Sequence, residues 1–237
     1  MNISQINKTI YQDKINSERL TKTNKNRFDL INKITIETIN KLNENNLNIV
    51  DIGCRDCSYF DNISNINTNK LIGIDNVKKF IELGKKKGYD IIEHDLEKPL
   101  PLKNKSIDII NCQQVIEHLL DTQEFIREIH RKLKMNGYLL IGIPNFNSFA
   151  SRIRFLFGYR PLQYSPVLQW SFGNHKSMFN LNDIKKLLID NNFKIEKIYG
   201  LDLFLSLKKY NKGINLNWLA KLFPSLAQKI MIIAKKV

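Results

Sequence analysis

Cysteine is scarce in this 237-residue chain: Cys54, Cys57 and Cys112 are the whole complement. That excludes a disulfide framework as the basis of the fold. No apolar run approaches the ~18 residues that a membrane span requires. The opening stretch, MNISQINKTIYQDKINSE, lacks the apolar segment of a secretory leader. There is no internal repeat, and no composition shift marks a second domain. Together these absences lead to the expectation of a cytoplasmic protein with one main domain.

Acidic residues are also in the minority. Lys and Arg number 37 against 23 Asp and Glu, a formal net charge of +14. An excess of that size suits an acidic partner such as nucleic acid, an anionic lipid or an anionic substrate. The lysines are scattered, however. Their tightest groups, Lys85–Lys87, Lys208-Lys209 and Lys235-Lys236, are short, which favours a solvated surface over a binding stripe.

Hydrophobic residues make up 43% of the chain, enough for a sizeable core. Leu30, Ile31, Ile34, Ile36, Ile39 and Leu42 recur at helical spacing, so residues 1–46 are read as a helical lead-in. Short apolar runs then alternate with helical patterns. The runs lie at residues 48–52, 71–75, 90–93, 107–112 and 138–143, and helices are expected at 77–86 and 115–133. Alternation of this kind marks βαβ units and a parallel sheet. Asn136-Gly137 is expected to turn before the fifth strand. Patterning stops after Asn145, leaving an aromatic and basic insertion at 146–174. It returns with a helix at 181–191, started by Asn180 or Asn182, and with strands at 193–199 and 230–235.

The first strand runs into Val50-Asp51-Ile52-Gly53-Cys54-Arg55-Asp56-Cys57. An acid and a glycine there sit where open α/β sheets bind ligands. The G-x-G-x-x-G fingerprint is absent, since Arg55 occupies the second glycine position. That glycine lets a pyrophosphate approach the backbone, so a ligand without one is indicated. Asp75 ends the second strand at the offset of a ribose-binding acid, and Asp95 follows the third.

These motifs resemble the class I S-adenosylmethionine-dependent methyltransferases of the type 11 kind, from about Asn48 to Tyr199. Val50–Cys57 resembles the glycine-rich first motif, and Leu71–Asp75 the second. His94-Asp95-Leu96-Glu97 resembles the adenine loop. Val115-Ile116-Glu117-His118-Leu119 is similar to the segment after the fourth strand, and Gly142–Asn145 to the exit from the fifth. Pro144-Asn145-Phe146 with Arg152, Arg154, Gly158 and Pro161 also looks like the MetW-type proteins. The resemblance implies a Rossmann-like α/β fold: a seven-stranded, mostly parallel sheet with an antiparallel last strand and helices on both faces. It implies S-adenosyl-L-methionine as cofactor, held by Asp51, Gly53, Asp75, Asn76, Asp95, Leu96 and Gln113. Arg55 and Cys57 stand where the family usually has glycines.

His118 and His175 are the candidates for a general base, because imidazole titrates near neutral pH. Methyl transfer from an activated sulfonium can also proceed on alignment and desolvation alone. Cys54-x-x-Cys57 with Cys112 could form a thiol cluster, but a structural zinc site takes four ligands. Packing thiols and no metal are therefore expected. The acceptor is read as a small molecule or lipid-like compound, with peripheral contact to an anionic membrane through residues 146–174 and no obligate protein partner. Two alternatives remain at this level: a regulatory protein that binds the cofactor without transfer, and a nucleic-acid methyltransferase. The second is weakened by Asn111-Cys112-Gln113-Gln114, which stands in place of an Asn/Asp-Pro-Pro-Tyr/Phe tetrad.

Overall fold

The computed structural model describes residues 22–42, 46–63, 68–161, 175–207 and 212–237. Its main sheet contains β1 (Leu47–Ile52), β2 (Thr68–Asp75), β3 (Asp90–Glu93), β4 (Ile107–Gln113), β5 (Leu133–Pro144), β6 (Phe193–Leu201) and β9 (Lys229–Lys236). The spatial order is β3-β2-β1-β4-β5-β9-β6. The pairs from β3 to β5 are parallel, and β9 runs antiparallel to both β5 and β6. The seven-stranded mixed sheet is thus the one the motifs imply.

The apolar runs form strands because the sheet is covered on both faces, so both sides of each strand must be apolar. Side chains alternate between two cores with the period of the pleat. Val50, Ile110, Leu139 and Ile232 face one core, closed by α3 (Thr122–Lys132) through Ile126 and Ile129 and by α5 (Leu181–Asp190) through Ile184 and Leu188. Ile49, Ile109, Leu140 and Met231 face the other. That side is covered by α1 (Lys22–Leu42) through Ile31, Ile34 and Ile39, and by Ile81 of α2 (Lys78–Lys86). The helical lead-in is therefore part of a core, and the Thr35 hydroxyl is hydrogen-bonded to Tyr59 in the following loop.

Three local features differ from the sequence reading. The helix expected over 115–133 is broken: a single 3-10 turn (Ile116–His118) is followed by extended Leu119, and α3 starts only where Asp121 accepts from the Glu124 N–H at 2.8 Å. Residues 133–137 belong to β5, with Leu133 paired to Ile107, and Asn136 supplies the bend at φ 66°. A hairpin of β7 (Phe204–Leu207) and β8 (Lys212–Asn215) then leads into α6 (Asn217–Leu222). It was hidden in an irregular stretch. The expected cap is present: Asn180 caps α5 reciprocally with Asp183. In the insertion, α4 covers Phe149–Leu156, and residues 162–174 lie outside the described ones.

Candidate active site

The strand order reverses between β1 and β4, the crevice where open α/β sheets take ligands. Asp51 and Asp75 end the adjacent strands there. Asp51 is buried, and its Oδ1 accepts from the Asn111 side-chain amide at 2.6 Å. Burial pushes its pKa up to about 7, against the Asn111 hydrogen bond and with the nearby Asp75 charge. Asn111 is the β4 residue in register with Asp51, and its Oδ1 accepts from the Gln113 amide at 2.9 Å. Gln113 also donates to the Leu140 carbonyl at 3.1 Å. Its Oε1 lies 1.9 Å from where a Cβ on residue 142 would stand, so Gly142 is needed for that close approach.

Asp75 is held from two sides. Its Oδ2 accepts from the Arg55 N–H at 2.8 Å and its Oδ1 from the Val77 N–H at 2.9 Å. Burial raises its pKa while these backbone donors, and that of Asn76, oppose the shift. A carboxylate oxygen has more than one lone pair, so the two oxygens together also suit a vicinal diol.

The loop between these acids is shaped by left-handed residues. Gly53 (φ +72°) donates to the Ile74 carbonyl at 2.8 Å, and a Cβ there would meet Val115 at 2.5 Å. Arg55 (φ 55°) and Cys57 (φ 56°) adopt the same region without being glycine. The backbone path thus tolerates these two departures, at a steric cost of roughly 1–2 kcal/mol each. The Arg55 guanidinium lies 4.8 Å from the centre of the Phe80 ring. Cys57 is fully buried beside Cys54 in the core under α1, whereas Cys112 faces the opposite core. The three thiols therefore do not share a pocket.

Asp95 follows β3 and turns the loop, accepting from the Glu97 N–H at 3.2 Å, while Leu96 packs on the core. Beyond β4, the 3-10 turn brings Glu117 and His118 to the carboxyl edge of the sheet. The Lys176 and Ser177 N–H groups donate to the Glu117 carbonyl at 2.8 and 3.2 Å, which draws His175 in. The His118 and His175 ring centres are 5.0 Å apart. Glu117 is 1% exposed beside them, and burial pushes its pKa up to about 8.

Sequence reasoning missed Asn111 and Glu117 as site residues. A polar residue inside the apolar run 107–112 was the available signal for the first. An acid beside a candidate histidine was the signal for the second.

The sheet has the strand arrangement of the class I S-adenosylmethionine-dependent methyltransferase fold. Residues 50–141 match the type 11 methyltransferase domain family. A probable S-adenosylmethionine-dependent methyltransferase of Mycobacterium tuberculosis is 32% identical over 43% of this chain and 32% of its own length. A ubiquinone biosynthesis O-methyltransferase of Pelagibacter ubique is 28% identical over 66% of this chain and 65% of its own. The chain thus spans from about a third to just under two thirds of the length of these relatives. Magnesium protoporphyrin IX methyltransferase from Synechocystis, solved with bound S-adenosylhomocysteine, shares the fold at a TM-score of 0.61 and 15% identity, over 98% of this chain and 100% of that one.

The residues present fit such a cofactor. A buried carboxylate able to ionise near neutrality suits an ammonium, a two-oxygen acceptor suits ribose hydroxyls, and no pyrophosphate requires a glycine at position 55.

Proposed function

We propose that this protein transfers a methyl group from S-adenosylmethionine to a small-molecule or lipid-like acceptor. The observation that carries the reading is the pair of buried acids, Asp51 and Asp75, ending adjacent strands at the switch point of this sheet. The cofactor supplies an electrophilic methyl on a sulfonium. Asp51 would attract its ammonium, Asp75 would accept from the ribose hydroxyls, and Asn76, Asp95 and Leu96 would border the adenine. Gly53 would let the loop pass close to the ligand. Gln113 acts through Asn111, since its amide is committed to Asn111 and Leu140.

The acceptor would lie over the strand ends near His118 and His175, either of which could take a proton from it. Similarity to ubiquinone-biosynthesis O-methyltransferases favours an oxygen nucleophile on an apolar acceptor. Contact with an anionic membrane is supported by the end of α4, where Phe155, Leu156 and the following Phe157 are exposed. Calorimetric titration with S-adenosylhomocysteine is expected to give one site, and methyl transfer to a panel of hydroxylated aromatic lipids tests the acceptor. No heat and no thermal shift at millimolar ligand would refute the reading.

A further inference from the structure

Glu117, His118 and His175 converge in a way that methyl transfer itself does not explain. One donor atom from each lies within 4.8 Å of the other two, making them the one such His/Cys/Asp/Glu group among the described residues. Glu117 Oε1 is 3.9 Å from His118 Nε2. Ligands of one zinc-like ion, each ~2.0–2.2 Å from it, lie no more than about 4.4 Å apart. Small side-chain rotations therefore close this set around an ion.

Two further observations point to a cation. The Glu117 Oε2 atom is buried with no hydrogen-bond partner, and a buried carboxyl oxygen in that state is satisfied by a cation or a donor placed beside it. The neighbouring ammonium does not provide it, because Lys176 is paired with Glu97 at 3.1 Å. The chain also converges here from both sides of the insertion: the Lys176 and Ser177 N–H groups clamp the Glu117 carbonyl.

We infer that Glu117, His118 and His175 form a binding site for one divalent cation at the acceptor side of the sheet edge. Two imidazoles and one carboxylate select a borderline ion of the zinc, manganese or iron(II) class over magnesium or calcium, which prefer all-oxygen sets. Three protein ligands leave positions open, as in catalytic rather than structural sites. On the methyl-transfer reading above, on which this role rests, an acceptor hydroxyl would take an open position. Coordination lowers the hydroxyl pKa, so its proton passes to solvent water and, with the ion bound, neither His118 nor His175 acts as the base. The oxygen lone pair then forms the C–O bond as the methyl C–S bond breaks, leaving the thioether.

The test uses the full chain, stripped with chelator, without cofactor or acceptor. Titration with Zn²⁺ and Mn²⁺ is expected to show one equivalent bound, and Co²⁺ is expected to give a visible spectrum of a mixed nitrogen and oxygen site. Glu117→Gln, His118→Ala and His175→Ala are each expected to weaken binding more than tenfold, with His94→Ala unchanged. Circular dichroism and thermal melting of each variant control for folding. If Glu117→Gln does not fold, His175→Ala with its spectrum decides the matter. Substoichiometric binding, or equal loss in His94→Ala, overturns the proposal. Titration of the stripped protein with S-adenosylhomocysteine reports separately on the cofactor reading, so the two can fail independently.

Discussion

At the scale of single residues, the site depends on two acids in different circumstances. Asp51 has a pKa raised from 3.8 to about 7, mainly by burial. For the empty protein this penalty sets in above about pH 4 and is complete once the folded group ionises. The ammonium of a bound ligand beside Asp51 would reverse the balance. Affinity for S-adenosylhomocysteine is therefore expected to rise by up to about tenfold per pH unit below about pH 7 and to level off above it. Calorimetry from pH 5.5 to 8.5 checks this, and Asp51→Asn should flatten the profile. Asp75 holds the loop by accepting from the Arg55 and Val77 N–H groups, and on the proposed reading it would also accept from the ribose hydroxyls. Asp75→Ala is expected to weaken binding at least about tenfold, since charge-assisted bonds contribute roughly 1.5–3 kcal/mol each. Unchanged affinity would mean the ligand is held elsewhere. Arg55 is a milder case. Glycine there relieves the left-handed strain but gives up the stacking on Phe80 and some backbone order. Arg55→Gly should change stability by no more than about 1 kcal/mol and leave cofactor affinity within a few-fold, as read by urea denaturation and titration.

At the scale of elements, α4 carries the clearest consequence. Phe149 packs against the small core of Leu203, Ala220 and Ala227, while Leu156 and Phe157 are 77% and 68% exposed. Replacing Phe155, Leu156 and Phe157 together by serine is expected to abolish salt-sensitive flotation with anionic vesicles while cofactor affinity stays within a few-fold. Full flotation of that variant would remove the membrane from the account. The helix itself was legible, because Phe149, Ile153, Leu156 and Phe157 fall at helical spacing. Its outward face was not, because periodicity shows that a stripe exists and not what covers it. The central strands of the main sheet were legible for a related reason: strands buried on both faces, such as β1, β4 and β9, leave continuous apolar runs. The break at Leu119 was invisible, since apolar residues continue through it and only the Asp121 cap separates turn from helix. That break is what delivers Glu117 and His118 to the edge. Asn145 was read only as the end of a strand. Its buried amide donates to the Ser225 and Ala227 carbonyls, partners about eighty residues away that no local pattern announces.

At the scale of the molecule, α1 is a structural wall. It contributes Ile31, Ile34 and Ile39 to the core beneath β1 and β4. Burial of such side chains contributes ~1.5–3 kcal/mol each, together comparable to the ~5–15 kcal/mol that holds a typical domain folded. Removing residues 1–45 is expected to abolish cooperative urea unfolding followed by circular dichroism. A truncated protein with an unchanged midpoint would show that the wall is dispensable. The place of β9 has an outcome of another kind. It lies between β5 and β6 yet follows both in the chain, and Lys236 anchors it by donating to the His130 and Leu133 carbonyls at 2.6 and 2.9 Å. During synthesis, the open edge of β5 and an unpaired β6 must wait for residues 229–236. A nascent chain that already contains every residue assigned to cofactor and acceptor still lacks a closed sheet. Its exposed strand edges are vulnerable to aggregation through that interval, so acquisition of the native state is timed by the last strand to emerge.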